Sequence, residues 1–200
     1  MSLSSSDKAE LGVLNDLLAS LPSSKREAVL RAADEVTFAK DSELLRPGEN
    51  WRHLWLVRKG ALRLFYVDAS GREATKNFFF EGQLLWPITA SLSSSPANFF
   101  VAALEESVIG YWALNRLDAL VGDEPGWLRF RSEVLQKLLD EKMWRERLFL
   151  LSTAAERYQR LTEDRPAWCR RVSLRHQASW LGIADVTLSR IRSASGPAGA

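Results

Sequence analysis

One cysteine, Cys169, and two histidines, His53 and His176, are the only thiol and imidazole groups in a chain of 200 residues. A single thiol excludes an internal disulfide, and it excludes a zinc or iron–sulfur site held by four thiolates of one chain. The histidines are far apart and have no metal-ligand spacing. A small-barrel enzyme of the cupin type needs clustered histidines beside a carboxylate, and His53 stands alone in its segment. No catalytic residue, metal ligand or enzyme activity is assigned. Apolar runs are short as well: none approaches the length of about 18 residues that a membrane span needs. The opening MSLSSSDKAELG lacks the basic-then-apolar pattern of a secretory signal. A cytoplasmic protein is expected.

Charge of one sign is scarce overall but unevenly placed. The net charge is only +2. From Thr153 onward there are eight arginines, no lysine and four acids, a local balance of +4 that leaves −2 for the rest. Arginine gathered in one segment suits a chain that meets a polyanion with that segment alone.

The periodicity of apolar residues divides the chain. Leu11, Leu14, Leu17, Leu18 and Leu21 recur at three- and four-residue steps, which predicts a helix, and Ser23 or Ser24 caps a second one. From Val36 to about Trp112 short apolar segments replace this pattern. They are punctuated by Gly48, Gly60, Gly71 and Gly82, and HLWLVRK, ALRLFYVD and EATKNFFF read as strands. The turn Asp68–Gly71 is a hairpin signal. Such spacing predicts an antiparallel β-roll of jelly-roll type. After a short helix, NRLDALVG, no glycine interrupts the stretch from Trp127 to Ser152, and Pro125 opens it as a long helix of about 40 Å at 1.5 Å per residue. Trp127, Phe130, Val134 and Leu138 form one apolar stripe and Leu128, Leu135 and Leu139 an adjacent one. The first is taken as a homodimer face, because so long a helix outruns what a small roll can cover.

The segment SLRHQASWLGIADVTLSRIRS, residues 173–193, carries the clearest motif. Ser173 caps a helix, Ala178 is small where two helices approach, and Gly182 supplies the left-handed residue that ends the first helix. Leu188 and Ile191 point inward from a second helix. Helix, short glycine turn and helix make a helix-turn-helix. On the outer face, Arg190 suits guanine O6 and N7, Asp185 suits a cytosine amino group and Val186 a thymine methyl. Ser173, Arg175, Thr187 and Arg192 suit phosphates.

The run ERYQRLTEDRPAWCRRVSLRHQASWLGIADVTLSRIRS resembles the C-terminal domain of the Crp/Fnr regulators. Upstream, Gly48-Glu49-Asn50, LWLVRKGALRLF, DASGRE and FFEGQLL follow the order of that family's β-roll, and the helix from Pro125 stands where the family has its dimer helix. The resemblance implies an α+β chain. It has an effector β-roll (a double-stranded β-helix with flanking helices) over residues 1–124, a dimerisation helix over 125–152, and a helix-turn-helix domain lacking a full wing over 153–200, with a disordered tail. It implies a homodimer on a palindromic operator in double-stranded DNA, with RNA polymerase as partner and no membrane association. Asp185, Val186 and Arg190 occupy its base-reading positions. Asp185 and Val186 depart from the arginine and glutamate often found there, so a different operator is expected.

The family's cyclic-nucleotide cassette is missing. Trp86 and Pro87 stand where glycine and glutamate would be, and Ala97 and Asn98 where arginine and a small residue would be. No lysine or arginine lies between Lys76 and Arg116. Cyclic AMP binding in the family manner is not expected, and no cofactor is assigned. Leu84, Leu85, Trp86, Thr89, Phe99 and Phe100 remain as an apolar effector pocket for an unknown small molecule, or as plain core. The alternative to a DNA-binding regulator is a ligand-sensing roll that acts on a protein partner.

Overall fold

The computed structural model describes residues 12–194. Leu11 of the first expected helix and the end of the expected disordered tail, residues 195–200, lie outside them. The described chain falls into two compact units. The first takes the residues up to Leu64 together with Phe79–Lys137, and the second takes Phe65–Phe78 and the residues from Leu138 onward.

Helices α1 (Gly12–Ala19) and α2 (Ser23–Arg31) lead into eight strands: β1 (Asp34–Phe38), β2 (Glu43–Leu45), β3 (His53–Lys59), β4 (Leu62–Val67), β5 (Glu73–Phe79), β6 (Leu84–Leu85), β7 (Phe100–Ala103) and β8 (Ser107–Ala113). They form two four-stranded sheets, ordered β1-β8-β3-β6 and β2-β7-β4-β5. The β1–β8, β3–β8, β3–β6 and β2–β7 pairs are antiparallel. This is the expected β-roll. Its two buried layers follow from the two-residue period of a strand. Along β3, Trp55 and Val57 face the interior with Leu62, Leu64, Phe99, Val101 and Ile109. Leu54 and Leu56 face the other way, against Leu14 and Leu17 of α1 and Val29 of α2. At the β3–β4 corner Gly60 has φ +94°, and a Cβ there would lie 2.7 Å from the Glu106 carbonyl oxygen. Glycine is required there both for backbone conformation and for space.

After β6 the short helix α3 (Ala90–Ser94) is capped by Thr89, whose hydroxyl accepts from the Leu92 N–H. Helix α4 (Leu114–Val121) follows, and then α5 (Pro125–Leu151), 27 residues long. The first half of α5 joins the outer layer of the roll. Trp127 is 1% exposed and stacks with Phe130, and Trp86 lies within 6.5 Å of both rings.

The second unit contains the rest of α5 and four helices: α6 (Ala154–Asp164), α7 (Pro166–Arg171), α8 (Leu174–Leu181) and α9 (Asp185–Ala194). Thr153 and Glu156 form a reciprocal capping box at the start of α6, satisfying two orphan N–H groups. Leu161, Val172, Ala178, Leu181 and Leu188 are buried. Helix α7 was not anticipated as a separate element, although Pro166 at its first turn is a normal opening.

Residues 65–78 cluster with the C-terminal helices. The division at residues 124 and 152 assigns this hairpin to the roll, but its outer part packs with the helices. The Ser179 hydroxyl accepts from the Thr75 N–H at 2.9 Å and the Thr75 hydroxyl at 3.0 Å, and it donates to the Glu73 carbonyl at 2.9 Å. Arg145 of α5 donates to the carbonyls of Lys76 at 2.6 Å, Thr75 at 3.0 Å and Trp180 at 2.9 Å. Phe78 meets Trp168 edge-on at 5.0 Å, and Trp168 meets Trp180 at 5.5 Å. These groups satisfy the hairpin backbone and surround it with aromatic surface, which is why it clusters there.

Candidate nucleic-acid interface

Helices α8 and α9 are joined by three residues, Gly182–Ala184. Ser173 accepts from the His176 N–H and so caps α8. Gly182 closes it in the left-handed conformation, φ +70° and ψ +31°. The Ile183 N–H then bonds the Ala178 carbonyl at 3.1 Å, continuing the closure. A Cβ on Gly182 would stand 2.9 Å from Cε1 of Phe149. Ala178 and Leu188, both 0% exposed, lock the pair together. The motif expected over residues 173–193 is present as helix, turn and helix.

With Leu188 buried and Ile191 half-buried, the other face of α9 is open. Asp185, Val186, Thr187, Ser189, Arg190 and Arg192 are all exposed, Val186 at 62%. Asp185, Val186 and Arg190 thus share one accessible helix, and Thr187 and Arg192 flank them. Asp185 in the first turn also complements the helix dipole. Ser173 serves as a cap. Arg175 is 3.8 Å from a Glu73 carboxylate oxygen, an exposed and weak pairing that leaves its guanidinium able to turn to a phosphate.

Sequence reasoning missed Arg170. It is exposed at the end of α7, and with Arg192 it lies close enough to Cys169 to act on the thiol. Burial pushes that thiol up, and Arg192 and then Arg170 oppose the rise. Arg170 and Arg192 are thus two exposed cations in the neighbourhood of Cys169. The pair Arg170–Arg171 in the sequence was the available signal.

Two other expectations change. Trp127 and Phe130 are buried in their own chain, and Val134 packs beside them, so this stripe is not a free dimer face. The large rings are used to cover the outside of the roll. The adjacent stripe is the exposed one: Leu128 at 52%, Leu135 at 43%, Leu139 at 55% and Met143 at 59%. Leu138 is half-buried.

The expected effector pocket also divides. Leu85 and Phe99 lie inside the roll, whereas Leu84 and Trp86 belong to the outer layer with α1 and α5. Alternation along β6 sends neighbours to opposite faces, so they do not line one cavity. Thr89 is engaged as a helix cap, and Phe100 is half-buried on β7. Where the phosphate cassette would stand, Pro87 and Ala97 are buried and Asn98 is exposed. Ala97 exchanges backbone hydrogen bonds with Gly48 and Glu49 at 2.8 Å.

Residues 35–124 match the family model of the cyclic nucleotide-binding domain. No curated protein matches the chain. Among solved structures it is similar to the c-di-GMP responsive global regulator CLP of Xanthomonas campestris, with a TM-score of 0.74, 17% identity, and 90% of this chain and 95% of that one covered. It is also similar to FixK2 from Bradyrhizobium japonicum, with a TM-score of 0.69, 22% identity, and 84% and 89% covered. For the catabolite activator protein of Thermus thermophilus the TM-score is 0.56, the identity 19%, and the coverage 90% and 85%. Residues 35–124 thus resemble the cyclic nucleotide-binding domain, and the chain has the fold of the Crp/Fnr regulators.

Proposed function

We propose that this chain is a sequence-specific DNA-binding transcription regulator that enters the major groove with α9. The observation that carries this reading is the exposed face of α9 on a helix-turn-helix closed by Gly182. Arg190 reads guanine, while Asp185 and Val186 set the neighbouring bases. Arg170, Arg175, Thr187 and Arg192 fix the register on phosphates. The working form is a homodimer formed along Leu128, Leu135, Leu139 and Met143 of α5, with half-sites about 34 Å apart. RNA polymerase is the expected protein partner on the DNA.

The roll resembles a cyclic nucleotide-binding domain but does not hold cyclic AMP in the family manner. Trp86 and Pro87 replace the groups that hold ribose, and Ala97 and Asn98 those that hold the cyclic phosphate. An anion there would find no guanidinium fork.

Selection from random duplexes, followed by fluorescence anisotropy, tests the reading. An enriched palindrome is expected, with binding that weakens steeply as salt rises. Arg190→Ala should relax choice at one position by about 1–3 kcal/mol. Arg170→Ala should weaken all duplexes alike. Absence of any enriched sequence would refute the proposal.

A further inference from the structure

Strand β1 differs from its neighbours in what covers it. Asp34, Glu35, Val36 and Thr37 are exposed in succession, whereas four successive residues of β3 and of β4 are buried. It stands at the edge of its sheet, where β8 is its one neighbour. Among the described residues, no backbone hydrogen bond outside that pairing reaches Asp34–Phe38. One row of its N–H and C=O groups is therefore open to a further strand.

Proteins commonly blunt such an edge with a bulge or a proline. Here the register with β8 runs unbroken from Asp34 opposite Tyr111 to Phe38 opposite Ser107, and no proline interrupts it. Opposite charges stand at the two ends instead. Asp34 opens the strand, and Lys40 lies in the turn after it, which the Ser42 N–H closes on the Ala39 carbonyl at 3.1 Å. Glu35 is engaged by Arg58 at 3.0 Å. Among the described residues, Asp34 and Lys40 have no ion pair.

Antiparallel pairing of residues 34–40 with the same residues of a second copy, centred on Thr37, matches both ends. Asp34 then faces Lys40 twice, Val36 faces Phe38, Glu35 faces Ala39, and Thr37 faces itself. Opposite charges, a β-branched residue against an aromatic one, and a threonine pair each stabilise such a ladder. Val36 and Phe38 share one face of the strand by alternation, and Val36 is 36% exposed, so apolar surface is covered as well. A shift of two residues either way removes both charge pairs and sets Asp34 against Phe38 or Lys40 against Val36.

We propose that β1 is a docking edge for β1 of a second copy, the two strands joined about a two-fold axis at Thr37. The contact is isologous. It uses none of the exposed α5 residues Leu128, Leu135, Leu139 and Met143, so it doubles whatever assembly α5 makes. So short an interface is weak between free copies. It gains when neighbouring operators hold the copies close, and that gain alone rests on the DNA reading proposed above.

Sedimentation equilibrium of the full chain, from about 1 μM to about 1 mM, tests the edge. The mass should double as concentration rises, from the α5 dimer to a tetramer. If α5 makes no dimer, the same doubling runs from one chain to two, so the two proposals fail separately. Asp34→Lys alone, or Lys40→Asp alone, sets like charges opposite each other at both ends. Either should raise the dissociation constant of the doubling at least about ten-fold. Asp34→Lys and Lys40→Asp in one chain restore opposite pairs and should return it to within about three-fold of the parent. A constant mass overturns the proposal and leaves the edge to a different partner. It is equally overturned if the single variants associate as the parent does, or if the double variant associates no better than the single ones.

Discussion

Replacing Arg145 with methionine should lower the unfolding free energy of the second unit by about 3–4 kcal/mol. The side chain donates to three carbonyl oxygens, of Thr75, Lys76 and Trp180, at 2.6–3.0 Å. A hydrogen bond with a charged partner contributes about 1.5–3 kcal/mol, so three set a ceiling of roughly 4.5–9 kcal/mol. The cation also stacks on Trp180 at 4.8 Å and Phe149 at 5.2 Å, each contact adding about 1 kcal/mol. Against this stands the cost of desolvating the guanidinium, visible in the way burial pulls its pKa down. That penalty of several kcal/mol offsets about half the gain. Urea unfolding followed by tryptophan emission measures the difference, because Trp144, Trp168 and Trp180 all lie in this unit. Amide exchange at Thr75 provides a local reading, since its N–H is held by Ser179. Exchange there should accelerate about a hundred-fold or more. Arg145→Lys, which keeps the charge and loses the fork, should fall between the parent and methionine. A loss below about 1 kcal/mol for methionine would show that the hairpin is held by apolar packing instead, and the reasoning would fail.

Gly182→Ala should destabilise more than Gly71→Ala. Both residues have positive φ and incur a backbone cost of about 1–2 kcal/mol, but only at Gly182 does the new Cβ meet a neighbour, Phe149 at 2.9 Å, while Gly71 faces open space. Thermal melts of the two variants check the order, and equal shifts would contradict it. His53, edge-on to Tyr111 at 5.5 Å, should titrate below 6.5 by proton NMR, because burial first and Arg52 second disfavour its cation. The folded chain then binds this proton less readily than the unfolded one. Its contribution to stability is complete above pH 6.5 and is lost as pH falls through the folded value. Arg52→Gln should recover only the smaller part of the shift; full recovery would mean that charge and not burial is the main cause.

The roll was legible because strand alternation and turn glycines are local signals: β3, β4 and β5 fall where HLWLVRK, ALRLFYVD and EATKNFFF were read. The helix-turn-helix was legible for the same reason, with Ser173 and Gly182 marking both ends of α8. Two adjacent apolar stripes on α5 posed a different problem. Periodicity shows that both exist, but only the folded chain shows that Trp127 and Phe130 are taken by Trp86. The divided pocket was foreseeable, since Leu84, Leu85 and Trp86 are consecutive and a strand must send them to alternate faces. The contact of Thr75 with Ser179 links residues 104 positions apart, and neither hydroxyl carries a local signal for the other.

The compact unit that contains α9 also contains a hairpin whose strands start and finish in the roll. The backbone passes between the two units three times, after Leu64, after Phe78 and after Lys137. A single proteolytic cut before α6 therefore cannot free the helix-turn-helix with its full set of partners. A single genetic crossover there would likewise separate Ser179 from the strand it holds. A functional transplant of the helix-turn-helix into another chain would have to carry this hairpin with it, because Thr75 and Glu73 supply the partners of Ser179.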